Sequence, residues 1–345
     1  MAAALLERPD ETSALRYRRI DAAGAPAHAS TPAPAPAPAP APLGLLAYGV
    51  PAADGGLGLR VLQGQAGRVD AWHGGVLAVA GETGPVRWRD DGHWLFGRID
   101  VDETNFADLA EAAAHVYRHV FGTLREAGRP HLLRLWNYVP RINADDAGLE
   151  RYRRFNIGRQ QAFIDAGRDA FEGAPAACAI GKRDGLLSLR FLAGRTPPRP
   201  LENPRQVPAY RYAPRFGPRS PTFSRAALVD AAGGQLALLV SGTASIVGQD
   251  SLHAGDVCAQ TRETLANLQA LLAAARERCT APFELGGLDC TVYLRHAADL
   301  AAVRAEFERA TGPGSRAPIF IEADICRSEL LVEIEGQTMA PGGLR

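Results

Sequence analysis

Two glutamates interrupt an apolar segment at residues 330–335, in the run Leu330-Leu-Val-Glu-Ile-Glu335. Successive side chains of a β-strand point to opposite faces, so Glu333 and Glu335 are predicted to share one face. A carboxyl group that is partly buried among apolar neighbours has a raised pKa and can act as a general acid. The spacing does not choose between the two glutamates, and a half-exposed strand with two solvent-facing carboxylates is the alternative.

Arginine and tyrosine side chains are concentrated at two places in the chain. Tyr152 and Arg159 are seven residues apart on a predicted helix, about two turns, so they share a face. A guanidinium group binds a carboxylate in a bidentate manner, which makes such a face a candidate anion site. The second group comprises Arg205, Tyr210, Arg211, Tyr212, Arg215, Arg219 and Arg225. Because Lys182 is the single lysine among 38 basic residues, an ordinary surface role is the alternative for each arginine.

The composition excludes several classes of function. The 345 residues include 38 basic and 38 acidic side chains, whereas a general nucleic-acid-binding protein needs a basic surplus. We therefore expect no nucleic-acid partner. No run of about 18 apolar residues is present, so we expect no membrane span and no membrane partner. The first residues lack the pattern of a signal peptide, which favours a cytoplasmic protein.

The sequence gives little indication of a metal or a cofactor. Five cysteines without a C-x-x-C spacing favour reduced thiols over disulfides or zinc. His115 and His119 have the i, i+4 spacing of a helical metal site, but no third ligand is placed near them. Lys182 lies outside every candidate motif, which argues against Schiff-base chemistry. We expect neither a metal nor a cofactor.

The pattern along the chain predicts two similar halves. Residues 1–42 read as a disordered N-terminus that ends in a Pro-Ala linker, and ordered structure is expected from Leu43 onward. The rest divides into a first domain (43–195), a connector (196–222) and a second domain (223–345) that holds both glutamates.

Helical and strand patterns repeat in the two halves. Apolar spacing predicts helices over 105–127, 147–171, 257–278 and 298–311, with Asp256 as the N-cap of the third. Short apolar runs between them predict strands. Each half then reads strand, strand, helix, strand, helix, strand, strand, which indicates an internal duplication. We predict an α+β fold in which each half is a mixed sheet with its helices on one face.

Several segments resemble known families. The second half is similar to the YjgF/RidA family at Phe223-Ser-Arg-Ala226, Leu239-Val-Ser-Gly-Thr243, Gly255–Leu268 and Leu331-Val-Glu-Ile-Glu335. The chain from about residue 43 resembles the chorismatases, which are chorismate-converting enzymes with two YjgF-like halves. The segments that carry this second resemblance are Leu135–Asn143, Tyr152–Arg159, Ala176–Gly181, Ser241–Gly248, Asp324–Arg327 and Leu330–Gly336.

The resemblance to chorismatases implies a reaction and an acid. It implies a cofactor-free conversion of chorismate, a small molecule with two carboxylates, to 3-hydroxybenzoate and pyruvate. A second candidate product is 4-hydroxybenzoate. The resemblance places the catalytic acid on Glu333, which would protonate the enolpyruvyl ether of the substrate.

The resemblance also points to residues that bind the substrate and control the product. It points to Tyr152 and Arg159, and from the connector we favour Tyr212, Arg215 and Arg225, the last because Phe-Ser-Arg-Ala opens the second half. In the family a small Gly and a Cys at two further positions accompany hydroxybenzoate formation, and this sequence has Gly242 and Cys326 there. Gly242 would leave room for the substrate's 4-hydroxyl group, and the weakly polar Cys326 would hold water poorly.

Alternatives remain for the activity and for the assembly. A chorismate hydrolase would form a dihydroxycyclohexadienoate instead. A RidA-like enamine/imine deaminase would use an arginine near Arg316, although the interval to Glu333 is about two residues longer than that family has. A binding protein without catalysis is a further alternative. A duplicated chain supplies one subunit junction internally, so we expect a monomer, with a trimer or a dimer as the alternative.

Overall fold

The computed structural model describes residues 14–21, 41–50, 56–62, 67–75 and 77–345, and within them the chain forms twenty β-strands and four α-helices. The helices are α1 (Leu109–Ala127), α2 (Arg151–Asp165), α3 (Val257–Arg278) and α4 (Leu300–Thr311). The first ten strands are β1 (Arg16–Asp21), β2 (Gly44–Tyr48), β3 (Arg60–Val61), β4 (Arg68–His73), β5 (Val79–Thr83), β6 (Val86–Asp90), β7 (Trp94–Val101), β8 (His131–Pro140), β9 (Asp145–Asp146) and β10 (Leu149–Glu150). The remaining strands are β11 (Ala176–Lys182), β12 (Leu187–Gly194), β13 (Arg199–Leu201), β14 (Ala226–Asp230), β15 (Gln235–Ala244), β16 (Ile246–Val247), β17 (Asp250–Ser251), β18 (Asp289–Leu294), β19 (Ile319–Glu322) and β20 (Val332–Pro341).

The two halves share one sheet topology. The first sheet has the order β11-β8-β12-β7-β6-β5, and the second has the order β19-β18-β20-β15-β14-β13 with β3 added beyond β19. The pairs β8–β11 and β18–β19 are parallel, and the other pairs in both sheets are antiparallel. Each position in one sheet therefore has a counterpart in the other, which confirms the predicted duplication and the α+β class.

Each sheet is covered by helices on one face and by the other sheet on the opposite face. On β8, Leu135 and Val139 join the core formed with α1 and α2, whereas Trp136 and Tyr138 join a core shared with the second sheet. This alternation follows from the two-residue period of a strand. On the second sheet, Tyr293 of β18 faces the same shared core. The space between the sheets is therefore where side chains from both halves meet.

A small sheet of β1, β4 and β2 corrects the expectation that ordered structure begins at Leu43. Strand β1 is paired along its length with β4. Its inward side chain is Arg19, which donates to both carboxylate oxygens of Asp70 and to the Cys290 carbonyl 2.6 Å away. A buried ion pair rather than an apolar stripe fixes this strand, and for that reason hydrophobic periodicity did not reveal it. The remaining residues of the predicted disordered segment, 1–13 and 22–40, lie outside the described residues.

Several boundaries differ from the predicted ones. Helix α1 begins at Leu109, four residues later than predicted, because the Asp108 side chain accepts from the backbone N–H of Glu111 and caps it. Helix α2 is shorter than predicted at both ends. Helix α3 spans the predicted residues, and Asp256 caps it as expected. Strand β3 precedes the first sheet in the chain but pairs with β19 of the second. No helix of the described chain is long and apolar enough to cross a bilayer.

Candidate active site

A cavity of about 240 Å³ lies where α2, the connector and the loop between β19 and β20 meet β11, β15 and β20. The eight site residues predicted from the sequence all line it: Glu333, Tyr152, Arg159, Tyr212, Arg215, Arg225, Gly242 and Cys326. The structure therefore brings together side chains from both halves and from the segment that joins them.

The two glutamates of β20 have different surroundings, although they share a face. Glu335 accepts hydrogen bonds from the buried Arg134 guanidinium and from the Tyr293 hydroxyl, 2.6 Å away. The carboxyl group of Glu333 lines the cavity and has no hydrogen-bond partner within the described chain. Glu335 is 1% exposed and Glu333 is 4% exposed, so the alternative of solvent-facing glutamates is wrong.

The surroundings of Glu333 favour its protonated form. Burial raises the pKa of Glu333 to about 8, the neighbouring Glu335 adds to the increase, and Arg134 and Arg225 act in the opposite direction. A carboxylic acid with this pKa keeps its proton at neutral pH and can donate it. Glu335 is instead paired with a cation and accepts a hydrogen bond, which fits a structural carboxylate.

The carboxyl group of Glu333 occupies the space beside Gly242 that a side chain at residue 242 would fill. A Cβ atom on Gly242 would lie 1.8 Å from Oε1 of Glu333 and 3.3 Å from Cβ of Cys178. The pairing of β15 with β20 shifts register between Val240 and Thr243, where Gly242 lies. The space expected above Gly242 for the substrate's hydroxyl group is therefore occupied by the acid itself, which corrects that expectation.

Helix α2 supplies Tyr152 and Arg159, as their spacing predicted. Arg159 is buried, donates to the Thr222 carbonyl, and lies over the Tyr117 ring at 5.5 Å. Burial also raises the pKa of Tyr152, so its hydroxyl group stays protonated. The helix packs closely on α1 because Gly158 leaves space for the Ala110 carbonyl, which a Cβ would approach to 1.9 Å.

Arg225, which is hydrogen-bonded to Tyr212, adds a second buried positive charge to the cavity lining. The Arg225 side chain is buried and donates to the Tyr212 hydroxyl at 2.7 Å and to the Val207 carbonyl at 2.9 Å. Its guanidinium group also lies over the Phe223 ring at 5.2 Å. These contacts hold Arg225 at the cavity, and among the described residues no carboxylate forms an ion pair with it, which leaves its charge available to an anion.

Arg215 lies at the rim of the cavity rather than deep inside it. Its side chain is 57% exposed and forms an ion pair with Asp250 at 2.6 Å. It also covers the ring of Phe216 at 4.7 Å. The structure thus places Arg215 beside the site, as predicted, but with its guanidinium group already paired to an acid.

Arg327 is a cavity residue that the sequence reasoning did not select. It donates to the Gln249 carbonyl at 2.9 Å and stacks over the rings of Phe216 and Tyr212 at 4.2 and 5.1 Å. Its Nη2 is buried without a hydrogen-bond partner in the described chain. The signal in the sequence was its place directly after Cys326. Other lining residues that were not selected are Glu150, Arg153, Ala177, Cys178, Ala179, Phe216, Pro221, Phe223, Ala244, Ile246, Ser328 and Glu329.

The cavity is therefore an arginine-rich pocket that contains one buried carboxyl group with a raised pKa. Its lining includes five arginines and three glutamates, and one of these glutamates is Glu333, whose pKa is raised by burial. Such a pocket suits a small molecule with two carboxylates. Within the described residues no three His, Cys, Asp or Glu side chains are grouped as metal ligands would be. Arg316, the candidate for a deaminase, pairs with Asp289 and does not line the cavity.

Comparison with known proteins identifies the family. A family profile described as chorismatase FkbO/Hyg5-like, N-terminal, matches residues 70–193. A 3-hydroxybenzoate synthase of Streptomyces hygroscopicus is 37% identical over 281 residues, which are 78% of this chain and 81% of the relative. The chain belongs to the chorismatase family. A chorismatase of Streptomyces rapamycinicus is 37% identical over 274 residues, 77% of this chain and 81% of that protein.

A solved chorismatase structure extends the likeness to the whole fold. It matches with a TM-score of 0.80 and 31% identity, and the match covers 94% of this chain and 98% of the other. The resemblance seen in the sequence is thereby confirmed at the level of the family.

Proposed function

We propose that this chorismatase converts chorismate to 3-hydroxybenzoate and pyruvate, with Glu333 as the general acid. The observation that carries the proposal is the buried carboxyl group of Glu333, which lines a cavity together with five arginines and whose pKa is raised by burial. The names of the relatives, a 3-hydroxybenzoate synthase and a chorismatase, support chorismate as the substrate.

The reaction begins at the enolpyruvyl ether of chorismate. Glu333 donates its proton to the methylene carbon of the side chain, which becomes an oxocarbenium ion. The 4-hydroxyl oxygen then attacks C3, the C3–O bond to the side chain breaks, and pyruvate leaves with that oxygen and the electron pair. The Glu333 carboxylate takes the proton of the 4-hydroxyl group, so the acid is restored for the next turnover.

The remaining steps make the ring aromatic. The epoxide that bridges C3 and C4 opens at C4, the ring loses the proton on C3, and the oxygen left on C3 takes up a proton to give 3-hydroxybenzoate. Hydroxybenzoic acid and pyruvic acid together contain the atoms of chorismic acid, so this route consumes no net water. Elimination of pyruvate with the 4-oxygen left in place gives 4-hydroxybenzoate as a second product.

The arginines hold the two carboxylates of the substrate. Arg159 on α2 and Arg225 ahead of β14 are both buried and line the cavity, and Arg327 adds an N–H group that has no partner in the described chain. Cationic partners at both carboxylates fix the ring relative to Glu333 and favour the near-attack geometry. The thiol of Cys326, a weak hydrogen-bond donor and acceptor, disfavours an ordered water beside the ether.

Incubation of the purified chain with chorismate tests this function. We expect pyruvate release, followed with a lactate dehydrogenase couple, and 3-hydroxybenzoate as the main product by chromatography with mass detection. Failure to release pyruvate at any protein concentration would overturn the proposal. A product that is one water heavier than hydroxybenzoate, without hydroxybenzoate, would assign the chain to chorismate hydrolysis instead.

A further inference from the structure

The loop between β19 and β20 forms one wall of the cavity. It carries Cys326 and Arg327 and leads into the strand that holds Glu333. A loop that presents two site residues must be fixed in place, because a shift of about 1 Å in a positioned group can cost roughly 100-fold in rate.

Arg295 lies behind this loop and does not line the cavity itself. It follows the last residue of β18, and its side chain is 12% exposed. All five N–H groups of its guanidinium donate to oxygens of the loop or of the first half. The acceptors are the carbonyls of Leu330 (2.8 Å), Arg327 (2.9 Å) and Ile325 (3.3 Å) and the side-chain oxygens of Asp324 (2.6 Å) and Asn143 (3.1 Å).

Two further contacts tie this arrangement to the first half. Asn143 donates to the Glu150 carboxylate at 3.1 Å, and Glu150 lines the cavity. The backbone N–H of Gly181 donates to the Asp324 carbonyl at 2.8 Å. A Cβ on Gly181 would lie 2.5 Å from Cβ of Asp324, so the loop can approach β11 this closely because residue 181 is glycine.

We propose that Arg295 is a positioning residue that holds Cys326 and Arg327 against the substrate and thereby keeps water away from the reacting ether. This inference rests on the proposed function. One cation fixes three backbone carbonyls of the loop, and through Asn143, which donates to Glu150, it ties the loop to the first half of the chain. Loss of these bonds frees the wall that excludes water, so the product distribution changes together with the rate.

The test is Arg295→Met, which removes the five donors and keeps the apolar stem. We expect pyruvate release to fall by about 10- to 100-fold, and the hydrated diene to rise as a share of the products. Arg295→Lys keeps the charge with at most three donors and is expected to recover part of both quantities. The control is Arg262→Met, since Arg262 pairs with Glu306 and does not line the cavity. The control is expected to keep the rate and products of the unchanged chain.

The outcomes separate this inference from the proposed function. Absence of pyruvate release by the unchanged chain would overturn the function and the inference with it. If the unchanged chain is active, a folded Arg295→Met with the same rate and the same product share would overturn the inference alone. If Arg295→Met does not fold, Arg295→Lys decides by the same two readouts. Loss of folding in both variants would assign Arg295 to stability and would also overturn the positioning role.

Discussion

Glu333 and Glu335 are chemically identical and two residues apart, yet the fold gives them different surroundings. Glu335 gains a buried cation and a hydroxyl donor, whereas Glu333 faces a cavity and gains neither. A carboxyl group removed from water without a partner keeps its proton because ionisation there is costly. The neighbouring Glu335 side chain adds to the increase in the pKa of Glu333. Within a single strand, Glu335 thus fits a structural role and Glu333 fits the role of the general acid.

The raised pKa of Glu333 predicts how activity depends on pH. The reaction needs the protonated acid, so kcat/KM for chorismate should be constant below the Glu333 pKa of about 8 and fall about tenfold per pH unit above it. Initial rates of pyruvate release from pH 4 to 10 measure this profile. A decline that begins near pH 5, as for an ordinary glutamate, would contradict the assignment.

The close approach of the Glu333 carboxyl group to Gly242 predicts the effect of one added methyl group at residue 242. In Gly242→Ala the new Cβ would overlap Oε1 of Glu333, and the flexible carboxyl group would have to turn away. We expect a folded protein whose rate of pyruvate release falls at least about tenfold. Gly122→Ala is the control, because a Cβ there meets no atom within 4 Å. Unchanged turnover in Gly242→Ala would show that catalysis does not require the Glu333 carboxyl group to lie beside residue 242.

Among the secondary-structure elements, those that capping residues and apolar periodicity determine were predictable from the sequence. Helix α3 was predicted to the residue because Asp256 caps it and its apolar residues follow a helical period. Strand β1 was missed because its buried side chain is Arg19, which a hydrophobic pattern does not register. Strand β3, Arg60–Val61, contributes to the second sheet by a pairing that no local pattern of residues indicates.

The buried ion pair of β1 predicts a large stability effect. Arg19→Met leaves the Asp70 carboxylate buried without its cation, which should lower the free energy of unfolding by about 3–5 kcal/mol. Arg60→Met is the matched control, because Arg60 is 69% exposed and its pair with Glu322 should contribute less than about 1 kcal/mol. Urea unfolding of the two variants measures both values. A cost below about 1 kcal/mol for Arg19→Met would show that β1 is not held by this pair.

At the scale of the whole molecule, the site depends on how the two halves pack. The eight predicted residues were found because the family resemblance pointed to most of them and the arginine-rich connector to others. Cys178 and Arg327 were not selected, since their place at the cavity results from the approach of the two sheets and of the loop after β19. The internal duplication was predictable from element order, but the order of strands within the sheets was not.

The duplicated architecture also predicts the assembly. The cavity is lined by both halves of one chain, so the site needs no second copy to complete its described lining. We expect light scattering to give the mass of one 36.7 kDa chain. A mass equal to three chains would contradict this expectation and would indicate that the trimeric alternative holds.

The most direct test of the account is the substitution Glu333→Gln, which keeps the size and polarity of the side chain but removes its acidic proton. We expect pyruvate release from chorismate to fall at least about 100-fold, while calorimetry still detects chorismate binding through the unchanged arginines. Near-normal turnover in Glu333→Gln, together with an inactive but folded Glu335→Gln, would contradict the assignment of Glu333 as the general acid.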